Sequence, residues 1–249
     1  NCLTTGKSMP KERVLNLYER GLNIGKSSKQ PVLISESVPG GTTTAQAVME
    51  AFGLQVSNLV GSSLYKAPRE LRRKVVKKGL LNANLKADFD SFDVVASVGD
   101  PFQAFSMGLL IGSRLANQPV ILSGGSQMLA IIVLVLEFLG AKNKDQFIKD
   151  IFIATTCWLV KDNSLNDLLN LINDKYDVNL LGLVSPLNFK SSICKELKDY
   201  ENGHVKEGVG AGGISLLAFL NGFKNDEIVS LCQQNVEMMK GLGQISLDN

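Results

Sequence analysis

Five short apolar runs constrain this chain more than any other feature, because each is continuous rather than alternating. They are Pro31-Val32-Leu33-Ile34, Phe92 to Val98, Pro119-Val120-Ile121-Leu122, Ile151-Phe152-Ile153-Ala154-Thr155 and Asn179 to Val184. A half-exposed strand alternates apolar and polar side chains, whereas an unbroken β-branched run belongs to a strand covered on both faces. Four of the runs lead through polar or glycine-rich turns into helical stretches, from about Ala45 to Phe52, to about Ala116, from Gln127 to Leu139, and through Leu165, Leu168, Leu169 and Ile172. The expected class is α/β: a doubly wound, mostly parallel sheet with helices on both faces. Ligands of such sheets sit outside the carboxyl ends of the strands, at a switch point.

Composition bounds the rest. With 249 residues, 45% apolar and 20% charged, the chain can bury a full core without a disulfide or metal staple. Twenty-six basic against 24 acidic residues give +2, too little to argue for nucleic acid or a membrane surface. The cluster Arg69, Arg72, Arg73, Lys74, Lys77 and Lys78 reads as a solvated helix face. Cys2, Cys157, Cys194 and Cys232 are widely spaced, as expected of reduced thiols in a cytoplasmic protein. The apolar run Met128–Leu136 is about half a membrane span. The expected organisation is an N-terminal helical segment over 1–30 contributing to a smaller subdomain, an α/β core over 31–220, and a C-terminal helix within 221–249. Ser8 and Pro10 suit the cap and first turn of the opening helix.

Three segments at strand ends carry candidate chemistry. In Ser35-Glu36-Ser37-Val38-Pro39-Gly40-Gly41-Thr42-Thr43-Thr44, glycine amides, threonine hydroxyls and the start of a helix suit a phosphate or phosphosugar. No Lys-Ser or Lys-Thr follows the glycines, so this is not a Walker A loop, nor is it GxGxxG. In Gly203 to Gly213, Glu207 precedes Gly208, Gly210, Gly212 and Gly213 and then an apolar helix, Ile214–Leu220. Burial there would raise the Glu207 carboxyl toward the range of a general base, while the amides would face a phosphate. The third is the pair of turns Gly99-Asp100-Pro101 and Ser123-Gly124-Gly125-Ser126-Gln127, where Asp100 is either a ligand group or a helix cap. His204, the only histidine, has neither a GxSxG elbow nor a cysteine cluster to work with, so no triad and no metal site is expected.

Together these segments resemble the nicotinate-nucleotide:dimethylbenzimidazole phosphoribosyltransferase family. The resemblance runs in order through Thr5-Gly6-Lys7-Ser8-Met9, Glu36 to Thr44, Val98-Gly99, Gly108, Pro119 to Leu122, Gly124 and Glu207-Gly208-Val209-Gly210-Ala211. It implies a Rossmann-like sheet with a smaller domain, usually in homodimers, and an enzyme that needs no cofactor or metal. The implied reaction moves phosphoribose from nicotinate mononucleotide to an aromatic base, forming the lower-ligand nucleotide of a cobamide. By the same resemblance Glu207 is the general base. Glu36, Gly40, Gly41, Thr42 and Thr43 form the phosphate-and-ribose loop, joined by Asp100, Gly124, Gly208, Gly210 and Gly212. A basic residue that contacts substrate in the family falls nearest Arg72, with Lys74 the alternative.

The chain departs from the family at Gly99-Asp100-Pro101-Phe102-Gln103, at Ser123-Gly124-Gly125, where an Asp-Gly-Phe turn is usual, and at Glu207-Gly208-Val209-Gly210. It begins at Asn1 rather than Met, and the upstream portion that supplies much of the family's base pocket is expected to be missing. A divergent branch of this kind is expected to accept another base, such as adenine or a phenolic compound, or to have lost activity. The alternative reading is a non-catalytic nucleotide- or corrinoid-precursor-binding protein on the same fold.

Overall fold

The computed structural model describes residues 1–61, 68–140, 144–208 and 210–245; Val209 of the glycine run and residues 246–249 of the expected C-terminal segment lie outside them. In chain order the elements are α1 (Lys11–Lys26), β1 (Val32–Ile34), α2 (Gly41–Ala51), α3 (Arg69–Ala83), α4 (Ser91–Val98), α5 (Pro101–Leu115), β2 (Val120–Ser123), α6 (Ser126–Leu139), α7 (Lys144–Ile148), β3 (Ile151–Thr156), α8 (Ser164–Tyr176), β4 (Leu181–Ser185), α9 (Lys195–Glu201), α10 (Ala211–Leu220) and α11 (Asn225–Ile245). Among the described residues β1 to β4 form one parallel sheet whose order follows the chain.

Register explains how both faces of β2 and β3 are covered, since side chains alternate across a strand; the expected cover fails at the edge strand β4, where Leu181 and Val184 are 48% and 46% exposed. Ile34 stands beside Leu122, which stands beside Ile153; with Val120 and Ile151 this row is buried in the main core. The core's centre is α6, whose residues Met128–Leu136 are all fully buried, as its uniformly apolar sequence requires. The opposite row, Ser123 beside Ala154, is met by α10: a Cβ placed on Gly213 would lie 2.3 Å from Ser123 Oγ and 3.4 Å from Ala154 Cβ. The strand order has no reversal among the described strands. The opening at their carboxyl ends is made instead by the return of the chain across this second face into α10. A smaller cluster packs Trp158, Leu187, Phe189, Cys194, Leu197 and Val229 between α9, α11 and the loops after β3 and β4.

One expected strand is corrected: Phe92–Val98 is helix α4. A short apolar run does not by itself distinguish a buried strand from a buried helix. Here Asp90 decides, because its side chain accepts from the Asp93 amide while the Asp93 side chain accepts from the Asp90 amide, a reciprocal capping box. Val94, Val95 and Val98 then fall on one buried face. Pro10, not Ser8, stands at the start of α1; Ser8 bonds Ser97 O through its amide and its hydroxyl instead. Against α5, α1 packs with backbone in contact: a Cβ on Gly108 would lie 2.0 Å from Tyr18 O. No helix among the described residues is long and apolar enough to cross a membrane, and the four cysteines are unpaired.

Candidate active site

A cleft of about 440 Å³ opens at the carboxyl ends of β1, β2 and β3. Its lining includes Glu36, Gly40 and Thr42 from the first segment, Gly124 and Gln127 from the second turn, and Glu207, Gly208 and Gly210 from the last. The first and last segments touch, since a Cβ on Gly210 would lie 2.4 Å from Ser35 Cβ. Ser123 fastens the last segment to the sheet by donating to Gly210 O (2.7 Å) and accepting from the Gly213 amide (2.7 Å).

Glu207 is held by its own helix. Its Oε1 accepts from the Gly212 amide (3.1 Å), and its Oε2 accepts from Thr155 Oγ1 (3.0 Å) and the Thr156 amide (2.9 Å). Thr156 Oγ1 donates to Lys206 O, closing the loop from the other side. Gly212 is there because α10 starts against β3: a Cβ would lie 2.2 Å from the Thr155 carbonyl carbon. Burial raises the Glu207 carboxyl above the ordinary glutamate value; the amides of Gly212, Thr156 and Gly208 and the Thr155 hydroxyl oppose that rise by stabilising the anion. The two residues before it, Val205 (φ 62°) and Lys206 (φ 54°), both lie in the left-handed region. Such backbone costs on the order of 1–3 kcal/mol per non-glycine residue, and the hydrogen bonds to Glu207 offset it.

This geometry changes the expected anion site. The first amides of α10 are committed: Ala211 to Gly208 O, Gly212 to Glu207 and Gly213 to Ser123. The carboxylate at the positive end of α10 is therefore Glu207 itself, and Gly212 does not line the cleft. The starts of α2 and α6 remain open. Among the described residues no acceptor meets the amides of Thr42, Gly125, Ser126 or Gln127. Helix α2 begins at Gly41, four residues earlier than expected, which brings Thr42, Thr43 and Thr44 into its first turn. Thr43 and Gly41 are not part of the cleft wall, although Gly41 lies under the side chains of Glu36 and Gln127.

Glu36 accepts the Val38 amide on Oε2 (2.5 Å) and faces the cleft. Burial raises its carboxyl, the Val38 amide works against this, and the nearby Asp100 carboxylate adds to it. Asp100 caps α5 through the Gln103 amide (3.0 Å) and accepts from Thr44 Oγ1 (2.5 Å), bracing the first turn of α2 from behind the cleft. Of the two expected roles the structure shows the cap, because Asp100 is buried, accepts from the Gln103 amide and from Thr44, and does not line the cleft.

Arg72 is corrected outright. It is 4% exposed, and its guanidinium donates to Gln46 Oε1 (2.6 Å), Val60 O (2.8 Å) and Gly61 O (2.9 Å). A planar fork directed at three internal acceptors holds the 60–61 wall in place, and Arg72 does not line the cleft. The alternative, Lys74, is exposed on α3. His204 is not part of the cleft wall, and among the described residues no cluster of His, Cys, Asp and Glu could hold a metal. Sequence reasoning missed Thr155 and Thr156, although their place at the end of β3 was a usable signal, and Gln127, which lay inside a turn already singled out. Of the apolar wall, Leu59 and Leu159 carried no signal, and Leu165 was legible only as part of a helix.

Comparison with known proteins places this arrangement. The chain is 89% identical over 248 residues to a UPF0284 protein of Prochlorococcus marinus strain MIT 9312, covering all of this chain and 64% of that protein. It is 40% identical to a UPF0284 protein of Parasynechococcus marenigrum strain WH8102, covering 96% of this chain and 61% of that protein. The chain thus spans somewhat less than two thirds of the curated relatives it matches. In fold it is similar to CobT from Thermus thermophilus, with a TM-score of 0.58 and 16% identity, covering 88% of this chain and 57% of that one. A second structure, titled as a nicotinate-nucleotide-dimethylbenzimidazole phosphoribosyltransferase of the same organism, gives 0.52 at 17% identity over 73% of this chain and 52% of that one. A family model, DBI_PRT, described as phosphoribosyltransferase, matches residues 1–143, the stretch that carries Glu36, Thr42, Asp100 and the Gly124–Gln127 turn. By that match the chain belongs to the phosphoribosyltransferase family.

Proposed function

We propose that the cleft transfers phosphoribose from nicotinate mononucleotide to a ring nitrogen of a benzimidazole-type or other aromatic base, forming the lower-ligand nucleotide of a cobamide. One observation carries this reading. Among the described residues the cleft wall has no lysine, arginine or histidine, yet it joins two open helix starts to two carboxylates, Glu36 and Glu207. Amides suit a phosphate, and carboxylates suit a cationic ring; a pyridinium nucleotide has both.

In the proposed step the nitrogen lone pair of the incoming base attacks C1 of the ribose. The bond from C1 to the nicotinate nitrogen breaks, and its electron pair returns to that ring and cancels its positive charge. Glu207 accepts the N–H proton of the base. Its three hydrogen bonds leave Oε1 with lone-pair capacity, since a carboxylate offers about four acceptor sites. Leu59, Leu159 and Leu165 supply a dry wall for a flat ring. The same reading takes the protein as a cytoplasmic homodimer, with a helical segment over 1–30, the core over 31–220 and a C-terminal helix within 221–249.

The test is incubation with nicotinate mononucleotide and a panel of benzimidazoles, purines and phenols, scored for released nicotinate. Release that depends on the added base supports transfer. Tight binding of the nucleotide with no release for any base favours the second reading, a non-catalytic nucleotide- or corrinoid-precursor-binding protein.

A further inference from the structure

The residue that joins the two open helix starts lies outside both of the long glycine-bearing segments. Gln127, in the first turn of α6, reaches across the cleft floor so that its Cγ lies 3.6 Å from where a Cβ on Gly41 would stand. Its Nε2 donates to Thr42 Oγ1 (3.2 Å), and its Oε1 accepts from Ser126 Oγ (3.4 Å). These bonds all run in one direction, from Ser126 to Gln127 to Thr42. A threonine hydroxyl has one hydrogen to give, and donation from Gln127 occupies one of its lone pairs. Among the described residues the Thr42 hydroxyl has no acceptor, so its hydrogen is left for the cleft. Thr44, two residues on, shows the contrast: its hydroxyl is turned inward to Gly41 O and Asp100.

We infer that Gln127 is a positioning residue of the anion site, aligning the Thr42 hydroxyl, together with the open amides of α2 and α6, toward the phosphate of a bound nucleotide. The inference rests on the proposed function only in taking that ligand to be a phosphorylated nucleotide. A hydrogen bond donated by a hydroxyl that is itself accepting is strengthened, because the chain is polarised in one sense. Gln127 thereby acts through Thr42, and the two residues should behave as a unit toward the ligand.

The experiment is a double-mutant cycle on binding of nicotinate mononucleotide, with inorganic phosphate as a second probe, both by titration calorimetry. Thr42→Val and Gln127→Met should each raise Kd roughly tenfold, the effect of losing one hydrogen bond to a charged group. The double variant should bind no worse than Thr42→Val alone, and Thr42→Ser should bind within a few-fold of the unaltered protein. Gln127→Glu, nearly isosteric, presents an acceptor to Thr42 and turns the hydroxyl away, so it should bind more weakly than Gln127→Met. Wild-type affinity in Gln127→Met or Gln127→Glu overturns the inference, and so do losses that multiply in the double variant. A merely structural role would lower the unfolding midpoint of Gln127→Met and leave Kd in the folded fraction unchanged, which also overturns it. If the pattern holds for both probes while no base ever releases nicotinate, the transferase reading falls and this inference stands. If nicotinate is released normally but Gln127→Met binds as tightly as the unaltered protein, the inference alone falls.

Discussion

Glu207 Oε1 accepts the amide of Gly212, five residues further along the chain, so that the first turn of α10 bonds a side chain from its own leading loop. A helix start that is usually a site for an external anion is filled from within.

Glu207→Gln should keep nicotinate mononucleotide binding within a few-fold and slow nicotinate release at least ~10²-fold, the ordinary span of a general base. Single-turnover kinetics at saturating nucleotide separate the two effects. Full activity in the variant removes Glu207 from the chemistry.

Phosphate placement offers a second check. An anion bound from nicotinate mononucleotide or phosphate should lie within hydrogen-bond distance of the Thr42 amide and the Ser126 amide, between α2 and α6. Density beside the Gly212 amide instead would require Glu207 to have left it, and would reverse the assignment.

Stability should fall with rising pH across the acidic range. Glu36, Asp100 and Glu207 all have carboxyls raised chiefly by burial from ordinary values of 4.5, 3.8 and 4.5. Between the ordinary and the raised value the folded state binds more protons than the unfolded one, so stability is highest below the ordinary values and declines as each group ionises. Urea unfolding from pH 4 upward should show this decline, and it should be shallower in Asp100→Asn, which keeps an acceptor for the Gln103 amide. An unchanged decline in that variant would mean the buried aspartate ionises at its ordinary value, and a steeper one that folding lowers it.

Arg72→Met should destabilise the fold by about 3 kcal/mol, because two buried acceptors, Gln46 Oε1 and Val60 O, and the part-buried Gly61 O lose their donors, while nucleotide affinity in the folded protein changes only a few-fold. The reverse outcome, unchanged stability with binding abolished, would return Arg72 to the ligand.

Gly108→Ala should cost about 2 kcal/mol by forcing α5 away from Tyr18 O, as overpacking of a tight interface does. Chemical denaturation measures it, and a neutral result would mean that α1 can move.

Much of this was legible from the residues, for reasons that can be named. Continuous runs such as Ile151–Thr155 marked buried strands because covering both faces leaves no room for polar positions. Glu36 was legible because it closely follows β1, whereas Glu207 follows α9 and not a strand, and was legible only from the glycine run that opens α10. What failed had equally local causes. Phe92–Val98 carried β-branched residues but answered to the Asp90 capping box, a two-residue signal outweighed in reading by the apolar run. Arg72 and Lys74 were alike as cations in a helical stretch. Burial set one against Gln46, Val60 and Gly61 and left the other in water, a choice made by the loop packed over α3 and not by anything adjacent in sequence. The commitment of the α10 amides depended on Ser123, which accepts from Gly213, and on Thr155 and Thr156, which hold Glu207 against Gly212, all distant along the chain.

The two sides of the cleft are consequently unequal before any ligand arrives. The half around Glu207 is already ordered by its own carboxylate, so binding has little freedom left to remove there. The half around Thr42 holds amides without protein acceptors. Hydrogen exchange on nucleotide addition should therefore slow at Thr42 and at Ser126 and Gln127 while hardly changing at Gly212: the proposed proton acceptor is preorganised, and the proposed phosphate cradle takes up the response.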